Sequence, residues 1–482
     1  MPMGPPERPL PADSPTCNLL LHMQQKVAGQ RLPLCMINQR SSSVAGTKLD
    51  YLAATDARPG GSRVAELALV IVFLVLVVSG LLIQTIVELR WGEGLRALEV
   101  FRQKPTSANL RAYERNLEDA SVLARALRPL FQFAQFAWLH DGGEKALVGR
   151  DGWLFYKPGC DDMLARSGSL ANITNDPVAA IVAWREALAA RGIHLLVVPA
   201  PNKESVYPDR LTRRFAEGRS VMSPTPRDVL ARLKSANVEY VDLFEVFAEA
   251  RANAAPAGTP PLYLAQDSHW SPTGVSLAAK TVAQRLVELG WAKPGAVEYR
   301  ERPTLVERLG DVLRMLQSSP IERCATPEEV PCLQVVRAES GQLYQDDVNS
   351  GILVLGDSFL RIYEQDEPGS AGFSAHLARE LKQPLTSLVN DGGASTLVRQ
   401  ELHRHPALLK NKRVVVWEFV ERDIRLGTEG WQPVPVPSVA SQQQTGDTAT
   451  HLEPSSSLGK KALTSSNRRM SLLTSAATHT TP

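Results

Sequence analysis

Four short runs of mostly branched apolar residues, at 193–198, 351–355, 385–389 and 413–419, constrain this chain more than anything else in it. Runs of that length, bounded by turn formers, read as strands buried on both faces. Stretches at helical spacing, 178–190, 226–235, 274–289, 374–382 and 395–409, alternate with them, and a further short strand is expected at 238–242. Strands alternating with helices require crossover connections, so the expectation is an α/β fold with a mostly parallel sheet and helices on both faces. Ligands in such a sheet bind beyond the carboxyl ends of the strands. Three of those ends carry unusual residues: Pro201-Asn202-Lys203, Gly356-Asp357-Ser358 and Asn390-Asp391-Gly392-Gly393.

Ahead of the alternating region, Leu67 to Val87 is a run of 21 uncharged residues. That length spans a bilayer, and the run is apolar on all sides, unlike a buried amphipathic helix. It lacks the shorter apolar core and small-residue cleavage site of a signal peptide, so it reads as an uncleaved anchor. Lys48, Arg58 and Arg63 before it balance Arg90, Arg96, Arg102 and Lys104 after it, so the positive-inside count does not orient it. A single early span ahead of a long soluble region leaves a short tail inside and exports the rest, which in a bacterium means an inner-membrane anchor and a periplasmic domain.

The chain then divides as follows. Residues 1–62, rich in Pro, Ser, Gly and Arg, are expected to be a disordered tail, and 63–90 the transmembrane anchor. Residues 91–140 form a helical stalk: an amphipathic helix from Ser107 to about Arg128, kinked or ended by Pro129, and an aromatic stretch at 130–139 that docks on the domain. The domain occupies 141–430, entered through a hairpin turn at Asp151-Gly152, and 431–482 is a second disordered tail. With 53 Lys and Arg against 51 Asp and Glu, the formal net charge of +2 gives no basic field, and no nucleic-acid partner is expected. The five cysteines show no C-x-x-C spacing, so no metal site is expected. Cys324 and Cys332 bracket a turn-rich loop and are either a disulfide, in an oxidising compartment, or two thiols.

Chemistry centres on Gly356-Asp357-Ser358. A serine where a buried strand turns into a helix projects its hydroxyl out of the sheet beside the first N–H groups of that helix, a place for a nucleophile and its oxyanion site. The same tripeptide also suits a helix start with no catalytic role, because Asp and Ser are preferred N-caps. A serine nucleophile needs a general base, usually a histidine oriented by a carboxylate. His22, His451 and His479 fall in the tails, His194 lies inside an apolar strand, and His376, His403 and His405 fall on helices. His269 differs: Asp267-Ser268-His269-Trp270 forms a loop just before a helix, where residues two apart point the same way and Asp267 can steer the imidazole.

The order of motifs completes the reading. Gly149-Arg150-Asp151-Gly152-Trp153, Pro201-Asn202-Lys203, Asp267-Ser268-His269-Trp270, Gly310-Asp311, Gly356-Asp357-Ser358-Phe359 and Val416-Trp417-Glu418-Phe419 with Arg422 follow one another over roughly 105–430. In this the chain resembles the SGNH-type alginate O-acetyltransferase family, the AlgJ/AlgX group of bacterial exopolysaccharide export. The Asp and His precede the Ser, whereas in ordinary SGNH hydrolases they come last, and this rearranged order resembles that group. The uncleaved anchor resembles AlgJ more than AlgX, and no carbohydrate-binding module is recognised after the domain.

The resemblance implies an SGNH-like fold without a cofactor, with Ser358 as nucleophile, His269 as its base and Asp267 as the orienting acid. It implies oxyanion donors at Ser358 and near Gly392 and Gly393, although glycines there equally suit a turn of positive φ. Asn390 is either a side-chain donor or a turn former, Lys203 either a substrate contact or a solvated lysine, and Trp270 and Tyr363 either stack on sugar or pack. Asp357 and Arg422 are assigned to holding the turn and the last strand. The implied partners are a polysaccharide acceptor and an integral membrane acyltransferase that supplies acetyl. A serine acyl-esterase with the same triad, and a non-catalytic anchored scaffold of an export complex, are the alternatives.

Overall fold

The computed structural model describes residues 63–437, apart from 93, 103, 165–175, 255–259, 392 and 427–429. The tail expected at 1–62, and the tail expected at 431–482 from 438 onward, therefore lie outside the described residues, as does Gly392.

Helix α1 (Arg63–Trp91) is long and apolar enough to cross a membrane, which fits single-pass anchoring. Two helices follow, α2 (Ser107–Ala120) and α3 (Val122–Ala134). The break between them falls at Ser121, not at Pro129 as expected. Ser121 leaves the helical region at φ −60° and ψ 115° and caps α3 by accepting from the Ala124 N–H at 3.2 Å. Pro129 sits inside α3. The aromatic stretch docks only in part: Phe133 and Phe136 pack against Ala146, Leu154 and Val312, whereas Leu130, Phe131, Trp138 and Leu139 stay exposed.

Strands β1 (Asp141–Gly142), β2 (Ala146–Val148) and β3 (Leu154–Tyr156) form a small antiparallel sheet at the start of the domain. The β2–β3 turn holds Asp151 and Gly152 at φ 54° and 79°, the left-handed pair that Asp-Gly favours. Next come β4 (His194–Ala200), β5 (Tyr299–Arg308), β6 (Glu328–Arg337), β7 (Ile352–Gly356), β8 (Thr386–Val389) and β9 (Val414–Val420). The central sheet has the order β4-β9-β7-β8 with every pairing parallel, while β5 and β6 make a separate antiparallel arm. The strand expected at 238–242 shrinks to a single bridge from Tyr240 to Val197, because Asp242 already caps the following helix.

Helices α4 (Pro177–Ala189), α5 (Pro224–Ser235), α6 (Pro272–Glu288), the short α7 (Ser358–Arg361), α8 (Phe373–Leu381) and α9 (Leu397–Arg404) complete the layers. Alternate strand residues feed two cores. Leu196, Val198, Val354 and Val416 pack with Val275 and Val282 of α6 and Phe373 and Leu377 of α8. Leu195, Val197, Leu353, Leu355 and Val415 pack with Ile181 of α4, Val229 of α5 and Val398 of α9. That period of two on strands buried from both sides is why the four runs read as continuous apolar segments. The domain also runs past 430: Trp431 is buried against Trp417 and Phe419, and the Trp184 Nε1–H donates to the Val434 carbonyl at 2.6 Å.

Candidate active site

Gly356-Asp357-Ser358 does start a helix, and the cap leaves its serine unused. The Asp357 carboxylate caps α7, accepting from the Phe359 N–H at 2.9 Å, and this leaves the Ser358 hydroxyl to point elsewhere. It points at His269, with Ser358 Oγ 2.8 Å from Nε2. Gly356 is required at the turn, because a Cβ there would lie 2.4 Å from Glu418 Oε2 and 2.5 Å from Leu360 Cδ1.

His269 comes from the loop before α6, and its Nδ1 lies 2.6 Å from Asp267 Oδ1, which also accepts the His269 backbone N–H at 3.0 Å. The other oxygen, Oδ2, accepts from Arg308 Nε at 3.0 Å and from the Asp311 N–H at 3.1 Å. Asp267 is fully buried. Burial alone would raise its carboxyl, but the His269 charge and hydrogen bond, together with Arg308, hold it well below the usual carboxylate range. For His269 burial acts downward, and Asp267 outweighs it, so the imidazole sits above its ordinary value. A neutral imidazole with Nδ1–H fixed on Asp267 presents Nε2 as a proton acceptor to the serine, the arrangement that raises hydroxyl reactivity.

Arg308 and Asp311 went unassigned in the sequence. Arg308 ends β5, a strand exposed along most of its length and without a run of apolar residues. Gly310-Asp311 stood out as a pair, and its geometry gives the reason: a Cβ on Gly310 would lie 2.1 Å from the Gln266 carbonyl oxygen, so only glycine lets this turn close on the Asp267 loop. The Asp311 carboxylate in turn accepts from Ser268 N–H and Oγ–H, each at 2.6 Å. Asp267, His269 and Asp311 each place one potential metal-ligand atom within 4.8 Å of the others. Their mutual hydrogen bonds account for that approach, and a cation on His269 Nδ1 would have to displace its 2.6 Å contact with Asp267.

Behind the serine, the buried Glu418 accepts from the Asp357 N–H at 3.3 Å. Desolvation and then the Asp357 charge raise the Glu418 carboxyl well above normal. Arg422 lies 5.6 Å from the Phe359 ring centroid. Burial acts to lower it, yet the carboxylates of Asp357 and Asp423 leave it raised, which fits the structural role expected for Asp357 and Arg422.

The loop after β8 runs beside the serine turn. The Asn390 N–H donates to the Gly356 carbonyl at 3.0 Å, and Arg361 Nε of α7 donates to Asp391 at 2.8 Å. Gly393 has φ 144°, so the positive-φ reading applies to it. Trp417 Nε1–H donates to the Ala394 carbonyl at 2.9 Å and Asp423 accepts from the Ala394 N–H at 3.0 Å, pinning this loop to β9.

Lys203, Trp270 and Tyr363, each left open between a substrate contact and another role, are engaged inside the protein. Lys203 is buried and donates to the carbonyls of Leu154, Ala265 and Asp267 at 2.6, 2.8 and 3.0 Å; burial pulls its ammonium down to about 8. One N–H group holds β3 and two hold the triad loop, which leaves none for substrate. Trp270 and Tyr363 are completely buried, with Trp270 Nε1–H on the Phe359 carbonyl and the Tyr363 hydroxyl on the Trp270 carbonyl, so neither ring is open to a sugar. Nor does a disulfide join Cys324 and Cys332. Cys324 ends a short helix, and Cys332 is buried within β6, paired across the arm with Thr304.

Residues 146–421, more than half of the chain, match the family described as SGNH hydrolase-like domain, acetyltransferase AlgX. The chain is 26% identical over 349 residues to the probable alginate O-acetylase AlgJ of Pseudomonas aeruginosa, covering 66% of this chain and 80% of that protein. It is 23% identical over 254 residues to the alginate biosynthesis protein AlgX of the same organism, covering 49% of this chain and 48% of that one. Among solved structures, the O-acetyltransferase domain of Pseudomonas putida AlgJ is similar at 20% identity and a TM-score of 0.46, over 58% of this chain and 91% of that one. The chain belongs to the SGNH hydrolase-like acetyltransferase family of AlgX and is an O-acyltransferase.

Proposed function

We propose that this protein moves acetyl groups onto hydroxyls of an exported polysaccharide through an ester on Ser358. The observation that carries the proposal is the unbroken line from Ser358 Oγ to His269 Nε2 at 2.8 Å and from His269 Nδ1 to Asp267 at 2.6 Å. Ser358 Oγ attacks the carbonyl carbon of the acetyl donor while its proton passes to His269 Nε2. The new imidazolium is held by Asp267, whose charge is fixed by Arg308 and the Asp311 N–H. The tetrahedral oxyanion is received by the Ser358 N–H, which heads α7 where N–H groups have no helical acceptor. Collapse expels the leaving group of the donor, which takes the proton from Nε2. A sugar hydroxyl then repeats the sequence on acetyl-Ser358, giving its proton to His269 and releasing the serine.

The acceptor reading draws on the relatives, whose names attach them to alginate. A uronate polymer is accordingly the first acceptor to try. Helix α1 supports membrane anchoring; on this reading the domain lies on the periplasmic face of the inner membrane, with acetyl supplied by an integral membrane acyltransferase. The test incubates the purified protein with a small acetyl ester and uronate oligosaccharides and weighs the products. Acetylated oligosaccharide is expected; free acetate alone would overturn transfer in favour of hydrolysis.

A further inference from the structure

Outside α1, the exposed large apolar side chains are concentrated in one short segment. Leu98, Phe101, Leu110, Leu127, Leu130, Phe131, Trp138 and Leu139 fall within 98–139, whereas the described residues from 140 to 437 contribute only Val287, Leu305 and Val348. A soluble surface scatters such residues singly; a cluster of this kind marks a contact. Leu127, Leu130, Phe131 and Trp138 recur at offsets of three, four and eleven residues, so they share one side of α3 and the turn that follows it. The other side of the same segment is the one that docks on the domain through Phe133 and Phe136. Residues 122–139 thus carry two apolar faces, one of which the domain covers.

The position of the uncovered face relative to α1 identifies its occupant. The Val122 N–H donates to Gln84 Oε1 at 2.9 Å, and Leu123 Cδ2 lies 3.9 Å from where a Cβ on Gly80 would be. Both Gly80 and Gln84 belong to the 21-residue uncharged run, so α3 starts against the outer end of the span itself. A cavity of about 470 Å³ opens at the same level, lined by Gln84, Glu88, Arg96, Asp119 and Arg125 among others, a polar lining suited to headgroup depth. Aromatic and leucine side chains on a helix whose first turn touches a membrane span meet lipid before they meet water.

Resting on the reading that α1 crosses the bilayer, we propose that residues 98–139 form a collar lying in the membrane interface on the catalytic side. Phe101, Leu130, Phe131 and Trp138 enter the acyl boundary, and the Phe133 and Phe136 contacts then fix the domain against the membrane rather than letting it swing on a tether. The acceptor polymer is met at the membrane surface.

The full chain in lipid nanodiscs, without any other protein, tests this. An environment-sensitive fluorophore is attached at Phe131→Cys, at Leu74→Cys within the span and at Leu305→Cys on the β5 arm, and quenching is measured by lipids nitroxide-labelled near the headgroup for 131 and 305 and deep in the acyl chain for 74. Strong quenching at 131, several-fold above that at 305, is the expected result, with Phe101→Cys behaving like 131. Quenching at 74 but no more at 131 than at 305 overturns the collar while leaving the anchor intact, and assigns the face to a protein partner. No membrane signal at 74 overturns both, and neither of these outcomes touches the acyl-transfer reading, which rests on Ser358.

Discussion

Among the described residues, Arg308 is the fixed positive charge hydrogen-bonded to the triad acid, and replacing it tests what that charge does. In Arg308→Met the aliphatic stem is kept, and the guanidinium, whose central carbon lies 5.8 Å from the Tyr363 ring centroid, is lost. Asp267 then keeps three of its four N–H contacts, those at 3.0, 2.6 and 3.1 Å, and loses the charged one at 3.0 Å. Because Asp267 is wholly buried and Arg308 mostly so, the loss is that of a buried charge-assisted hydrogen bond, about 1.5–3 kcal/mol. If the imidazolium in the transition state relies on that carboxylate, kcat/KM falls by roughly ten- to a hundred-fold at about 1.4 kcal/mol per decade. A second readout separates this from a general loss of structure. A carboxyl whose folded value is depressed contributes stability above its unfolded value of about 3.9, and that stability is lost as pH falls through the folded value. Without Arg308 the folded value of Asp267 rises, so acid unfolding followed by circular dichroism moves to higher pH. An unmoved acid midpoint together with kcat/KM within about twofold of the parent refutes the role given to Arg308.

Other outcomes follow from the same geometry. Since His269 is raised above the ordinary histidine value of about 6.5 and must be neutral to accept the serine proton, kcat/KM should fall on the acid side with a midpoint above that value. Asp267→Asn should move this midpoint down, with loss of rate by orders of magnitude, in a pH–rate profile. Glu418→Gln should cost little in thermal melts because burial and the Asp357 charge already oppose ionisation of this carboxyl, whereas Glu418→Ala strands the Asp357 N–H and costs about 1–3 kcal/mol. Gly356→Ala should lower both stability and activity, because its Cβ meets Glu418 and Leu360 at about 2.5 Å and the serine turn must shift. Trp431→Ala should cost about 3–5 kcal/mol in chemical denaturation, since this ring, beyond the expected end of the domain, fills the core against Trp417.

The central sheet was legible because its strands are buried on both faces, so their apolar character is continuous and needs no periodicity to be seen. Asp267, His269 and Ser358 were legible for a different reason: each lies at a loop or strand end where an apolar role is excluded by its neighbours. What escaped was set by exposure and by distance along the chain. The β5–β6 arm is solvated along much of β5, with charges where a core strand would have apolar residues, and Arg308 was hidden with it. Lys203 looks like a loop lysine until the three carbonyls around it, drawn from Leu154, Ala265 and Asp267, are seen to come from separate parts of the chain. Trp270 and Tyr363 follow the same logic, since an aromatic beside a motif looks alike in sequence whether its ring faces a ligand or Phe359 and Phe373. The helix break moved from Pro129 to Ser121 because a cap with a hydrogen-bonding side chain ends a helix as effectively as a missing N–H.

The claim on which the whole account stands is that Ser358 carries the acetyl group. Brief incubation with an acetyl ester, acid quench and peptide mass mapping should find one acetyl on the peptide containing Ser358. That label should disappear on adding acceptor oligosaccharide and should never form in Ser358→Ala or His269→Ala. Acetylated oligosaccharide produced at the parental rate by Ser358→Ala, or a stable acetyl on another residue that acceptor chases away, would contradict it.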